Sequence, residues 1–142
     1  MKTVLPALIC AATAAPAWEF TPGLPCRLTH ETAEVQVELT YDPTQPLYTI
    51  TLKQAAPWPD GAVFSLQFTG SAPLTISTDR HQISPDGTTL TVTDRGFGNV
   101  LNGLQFNSVA TGRLGDKAVS IPLAGAAEPV ERFRRCEVAA GA

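Results

Sequence analysis

Glu34-Val35-Gln36-Val37-Glu38-Leu39-Thr40 alternates polar and apolar side chains without a fault. A repeat of two residues is the period of a β-strand, so Val35, Val37 and Leu39 share one face and the polar residues take the other. The period returns further along. Tyr48, Ile50 and Leu52 alternate with Thr49, Thr51 and Lys53, and Phe64, Leu66 and Phe68 alternate with Ser65, Gln67 and Thr69, while Leu90 and Val92 lie among threonines. Turn-forming clusters separate these runs: Tyr41-Asp42-Pro43, Gln45-Pro46, Pro57-Trp58-Pro59-Asp60-Gly61 and Ser84-Pro85-Asp86-Gly87. Short half-buried strands at this spacing predict a mainly β domain, an antiparallel β-sandwich or barrel-like sheet. The clearest hairpin joins Arg80–Ile83 to Thr88–Thr93, because Pro85 presets one turn angle and Gly87 accepts a positive φ.

Two segments depart from this period. In Gly98-Asn99-Val100-Leu101-Asn102-Gly103-Leu104-Gln105-Phe106, Val100, Leu101 and Leu104 fall at helical spacing, with Asn99 placed to cap a short central helix. Glu128-Pro129 opens a second, C-terminal helix that carries Val130, Phe133 and Cys136 on one side and Arg132, Arg134 and Arg135 outside it. Arginines near its end suit the helix dipole.

The 142 residues are 44% hydrophobic and 16% charged, which suits one globular domain rather than a disordered chain. A net charge of −3 supplies no basic field for a phosphate backbone, so nucleic acid is not an expected partner. Lys2, the mostly apolar run Val4–Ala14 and the small residues Ala15-Pro16-Ala17 form the pattern of an export signal over residues 1–17, leaving a single domain over 18–142. That apolar run is too short to span a bilayer. Lipidation at Cys10 is the rival reading, but Ile9 ahead of it is larger than such a site favours. Once the leader is removed, Cys26 and Cys136 remain as an even pair in a compartment where disulfides persist, and they are expected to be bonded. The expected location is therefore the periplasm or the extracellular space.

Motifs for catalysis or cofactors are missing from the sequence. It contains no G-x-x-x-x-G-K-[ST] loop for a nucleotide, and Gly96-Phe97-Gly98 lacks the third glycine and the βαβ frame of a dinucleotide site. His30 and His81 belong to no metal-binding spacing, and no G-x-S-x-G elbow occurs. No cofactor or metal is expected. What remains is a polar constellation, Asp79-Arg80-His81, Asp94-Arg95, Asn99 and Asn102. Pairing of the hairpin brings Asp79 and Asp94 to its open end, with Arg80 and Arg95 beside them. As a binding edge, these arginines hold an anion or a partner while His81 titrates near neutrality. As architecture, the Asp–Arg pairs lock the hairpin end, which is the commoner use of opposite charges across a turn. Trp58 among its prolines is likewise either an exposed anchor for a partner or a plug for one end of the sandwich.

Thr75-Ile76-Ser77-Thr78-Asp79-Arg80-His81, Ser84–Val92 and Asp94-Arg95-Gly96-Phe97-Gly98-Asn99-Val100-Leu101-Asn102-Gly103-Leu104 resemble a family of small secreted proteins of Gram-negative bacteria. The likeness runs from Trp18-Glu19-Phe20 and Cys26 to Phe133 and Cys136. Some members carry the label of the helicase component of excinuclease ABC, but that helicase is built around a P-loop that this chain lacks. The string Gly96, Phe97, Leu101, Leu104 is also similar to invasion-associated locus B-type proteins. The resemblance implies a secreted fold and brings no substrate with it. Two functions follow from the residues: a secreted or periplasmic module without catalytic activity, binding a protein or cell-envelope component through a shallow Asp79/Arg80/Arg95/Asn99 edge, or a small hydrolase or anion-binding enzyme using His81 with Asp79 or Asp94. Thiol titration of protein recovered from an oxidising compartment is expected to find no free sulfhydryl. A reactive pair there would overturn the disulfide assignment.

Overall fold

The computed structural model describes residues 17–140. The expected leader, and with it Cys10, lies outside the described residues except for Ala17. In chain order the elements are β1 (Glu19–Thr21), β2 (Cys26–Glu31), β3 (Val35–Asp42), β4 (Leu47–Gln54), β5 (Phe64–Gly70), β6 (Leu74–Thr78), β7 (Gln82–Ile83), β8 (Thr89–Asp94), α1 (Gly98–Phe106), β9 (Asn107–Leu114), β10 (Lys117–Pro122) and α2 (Ala127–Ala140). They form two antiparallel sheets, one ordered β1-β2-β3-β4-β8-β7 and the other β10-β9-β5-β6. The sandwich expectation holds, and the sheets do not close into a barrel.

Alternation decides which side chains meet between the sheets. Val35, Val37, Leu39 and Tyr41 of β3 face inward, in register with Leu52, Ile50 and Tyr48 of β4 and with Leu28 and Cys26 of β2. Phe64, Leu66 and Phe68 answer from β5, with Leu114 and Ala110 of β9 beside them. Each valine, leucine, isoleucine or phenylalanine among them contributes about 1.5–3 kcal/mol when fully buried. The outward positions carry threonine, glutamate and lysine, as the period required.

The predicted hairpin is present but shorter than expected. Only Gln82 and Ile83 pair with β8, because residues 79–81 are used to cross from one sheet to the other. Its turn is held by Asp86, whose Oδ1 accepts hydrogen bonds from Ser84 Oγ (2.6 Å), Thr88 Oγ1 (2.9 Å) and Thr88 N (3.1 Å). The Ser84 bond foremost, then those from Thr88, bring the Asp86 carboxyl down to about 2. Gly87 takes φ +80°, and its carbonyl accepts from Trp58 N at 2.8 Å.

Both helices form where the spacing placed them. Val100, Leu101 and Leu104 of α1 are buried, as are Val130, Phe133 and Cys136 of α2. Asn99 does not cap α1: the cap position is Phe97, without a side-chain cap hydrogen bond, and Asn99 lies within the first turn. Arg134 is not wholly outside α2, since it donates from Nε to Gln105 Oε1 (2.8 Å) and from Nη2 to Asn102 Oδ1 (2.7 Å) of α1. The Cys26–Cys136 disulfide ties α2 to β2, with Cα atoms 6.3 Å apart.

The α1 helix reaches its place by lying almost directly on β5. At Gly103, a Cβ would sit well inside contact distance of the buried Phe68 ring, whereas a Cβ on Gly98 meets nothing within 4 Å. Gly103→Ala is therefore expected to cost about 1–3 kcal/mol in denaturant unfolding, and Gly98→Ala to gain about 0.4–1 kcal/mol. Equal effects at the two positions would contradict this packing.

Candidate functional site

The candidate residues fall on three connections. Asp79, Arg80 and His81 form the β6–β7 crossover, Asp94 ends β8 with Arg95 just after it, and Asn99 lies in the first turn of α1. Arg80 Nη2 stands 3.6 Å from Asp94 Oδ2, and both side chains are well exposed, 73% and 44%. The backbone positions both groups: Arg80 N donates to Thr78 Oγ1 (3.0 Å), and Asp94 Oδ1 accepts from Arg95 N (2.7 Å). Thus Arg80, Asp94 and Asn99 come together.

The rest of the constellation does not join them. Arg95 lies in a separate hollow with Tyr41, Pro46 and Arg134. Asp79 makes no hydrogen bond or ion pair among the described residues, and Asn102 serves the contact between the helices. The His81 ring donates from Nε2 to the Gly61 carbonyl at 3.0 Å, and its Nδ1 is buried without a partner. It bonds neither Asp79 nor Asp94. Trp58 is only 6% exposed, with its Nε1 donating to Leu52 O at 3.2 Å and its ring edge-on to Phe64. It therefore plugs the sandwich and is not available as a surface anchor.

Arg80, Asp94 and Asn99 stand at the mouth of a cleft of about 410 Å³ between the sheets. This corrects the expectation of a shallow edge. Its walls are Ile50 and Val92 from one sheet, Phe64, Leu66 and Ile76 from the other, and Phe97 and Val100 at the α1 end. The cleft exists because strands are missing there. β7 pairs only with Leu90 and Thr91, so Val92 to Asp94 have no outer neighbour, and β6 ends its own sheet. Ile76 and Val92 accordingly remain only partly buried. The volume and the apolar walls with a few polar groups at the rim match a small-molecule site. A larger hollow of about 510 Å³ lies on the outer face of the six-stranded sheet, across β1 to β4, but Glu19, Glu31, Glu38 and Lys53 line it and it has no comparable apolar floor.

No group of histidine, cysteine, aspartate and glutamate among the described residues can hold a metal ion. Comparison of the chain with protein-family models, with curated proteins and with solved structures finds no match.

The flank of the sandwich away from the cleft is closed by Trp18. Its ring stacks on His30 with centroids 4.6 Å apart, and its Nε1 donates to Pro122 O of β10 at 3.0 Å. Desolvation in this contact lowers the His30 pKa, only partly offset by a hydrogen bond with the Ala17 backbone. The fold therefore favours neutral imidazole. This stabilising contribution is complete above the ordinary histidine value of 6.5 and is lost as pH falls through the lower folded value. Unfolding free energy is expected to decline with falling pH over the acid side of neutrality in the native protein and to decline less in His30→Phe, which keeps the stack without the titration. Parallel curves for the two proteins would refute this assignment.

Proposed function

We propose that the chain is an exported, non-catalytic binding domain of the periplasm or the extracellular space, and that the cell-envelope component it holds enters the cleft beneath Arg80 and Asp94. The observation that carries the reading is the apolar opening of about 410 Å³ at the one flank that neither α2 nor Trp18 covers. A soluble domain exposes such a surface at a cost, and apolar area with a polar rim is what a ligand site uses. A disulfide across 110 residues favours an oxidising compartment, as does the leader pattern ahead of Trp18. Among the described residues no helix is long and apolar enough to cross a membrane. The enzymatic alternative has weak support, because His81 engages a backbone carbonyl rather than either carboxylate.

Two measurements test the reading. N-terminal sequencing of the protein from the periplasmic or secreted fraction is expected to start at Trp18, and an intact leader in the cytosol would overturn export. The neutral fluorophore N-phenyl-1-naphthylamine is expected to brighten on the native protein and on Thr75→Trp, whose side chain points away from the cleft, but not on Ile76→Trp, which fills it. Equal brightening on all three would remove the cleft as the site.

A further inference from the structure

The cleft is framed on four sides, and the frame selects its occupant. β6 and β8 form its long edges. The β6–β7 crossover closes one end, and the chain leaving β8 for α1 closes the other. Between these connections β6 offers a partner strand only five residues to pair with, whereas a single alkyl chain needs only the apolar walls and can enter end-on. A second copy paired along β6 would bury only a five-residue strand edge, well short of the area of a stable dimer.

The charges at the mouth narrow the chemistry. Arg80 and Asp94 are 3.6 Å apart, longer than the 2.7–2.9 Å of a tight charge-assisted bond, and both are exposed, so the pair is loose and opens at little cost. An anion settling on Arg80 would leave Asp94 unpaired and facing a like charge. A cation on Asp94 would do the same to Arg80. A ligand carrying both charges gives each side chain a new partner. The α1 end favours the negative part, since its first turn has no acidic residue and no side-chain cap and it presents free N–H groups beside Asn99.

We propose, resting on the reading of the cleft as the binding site, that its ligand is a single-chain zwitterionic amphiphile of the lysophospholipid class. Its alkyl chain lies against Phe64, Leu66, Ile76 and Val92, its phosphate meets Arg80 and Asn99, and its ammonium meets Asp94.

Calorimetric titration below the micelle concentration compares lauroyl lysophosphatidylethanolamine with dodecanoate and dodecyl maltoside. The native protein is expected to bind the lysophospholipid about fivefold more tightly than dodecanoate. Asp94→Asn is expected to erase that difference by raising dodecanoate affinity, and Arg80→Gln to weaken both. Ile76→Trp abolishes binding of all three. Ile76→Phe replaces it if the melting curve shows the larger ring to prevent folding. Equal binding of the three ligands by the native protein, or no response to Asp94→Asn, overturns the head-group assignment and leaves the cleft as the site. Absence of binding by any of them, or indifference to both Ile76 variants, overturns the assignment and the cleft together.

Discussion

A six-stranded sheet cannot be covered by a four-stranded one, and this mismatch shapes the molecule. Strands are spaced about 4.8 Å apart, so two missing strands leave about 10 Å of inward apolar face without an opposing sheet. On the β1–β2 flank the gap is filled by α2, whose Val130, Phe133 and Cys136 are buried, and by Trp18 reaching across to Pro122. On the β8–β7 flank nothing equivalent is present among the described residues. The cleft is the part of that mismatch left unfilled.

The disulfide follows from the same constraint. A helix of 14 residues is marginal by itself, so α2 is held by its buried side and by the covalent tie to β2. Closing a loop of 110 residues removes about 4–5 kcal/mol of unfolded-chain entropy in the chain-entropy account, a large share of a small domain's stability. The tie lies at the flank where a helix replaces strands, the place where local propensity alone is weakest. Tyr48 of β4 approaches both Phe97 and Phe133, with ring centroids at 5.3 and 6.2 Å, so the two helices meet the sheet at one aromatic cluster.

Much of the scaffold was legible in the sequence, for identifiable reasons. β3, β4, β5 and β8 carry large apolar residues at every second position, and both helices show their buried rows at helical spacing. β10 alternates too, with Val119 and Ile121 buried, yet escaped notice, whereas β1, β2, β6 and β9 lack that contrast. β9 turns Ala110 and Gly112 inward, because a side chain at Gly112 would crowd Val119 and Leu52, and β2 turns His30 inward beneath Trp18. β1 and β6 are too short to establish a period. The site was half legible. Arg80, Asp94 and Asn99 stand out as polar residues near a turn, but the walls of the cleft do not, because Ile76 and Val92 read as ordinary strand residues. Only the sheet order shows that no strand covers them, and residue periodicity does not encode sheet order.

The placement of charge at the open flank also opposes the pairing of its unfinished edge with other chains. Free strand edges invite pairing with other chains, and charged side chains or very short strands discourage it. β7 has two residues and β1 has three, and β10 begins at Lys117 and ends at Pro122. β6 is the exception, five residues without a charge or a proline. Its guard is displaced to the crossover, where exposed Asp79 and Arg80 stand at its end. Arg80 then has two physical consequences at once. It places a charge at the end of β6, which opposes strand addition there, and it stands 3.6 Å from Asp94 across the opening between the sheets, in an exposed pair that opens at little cost.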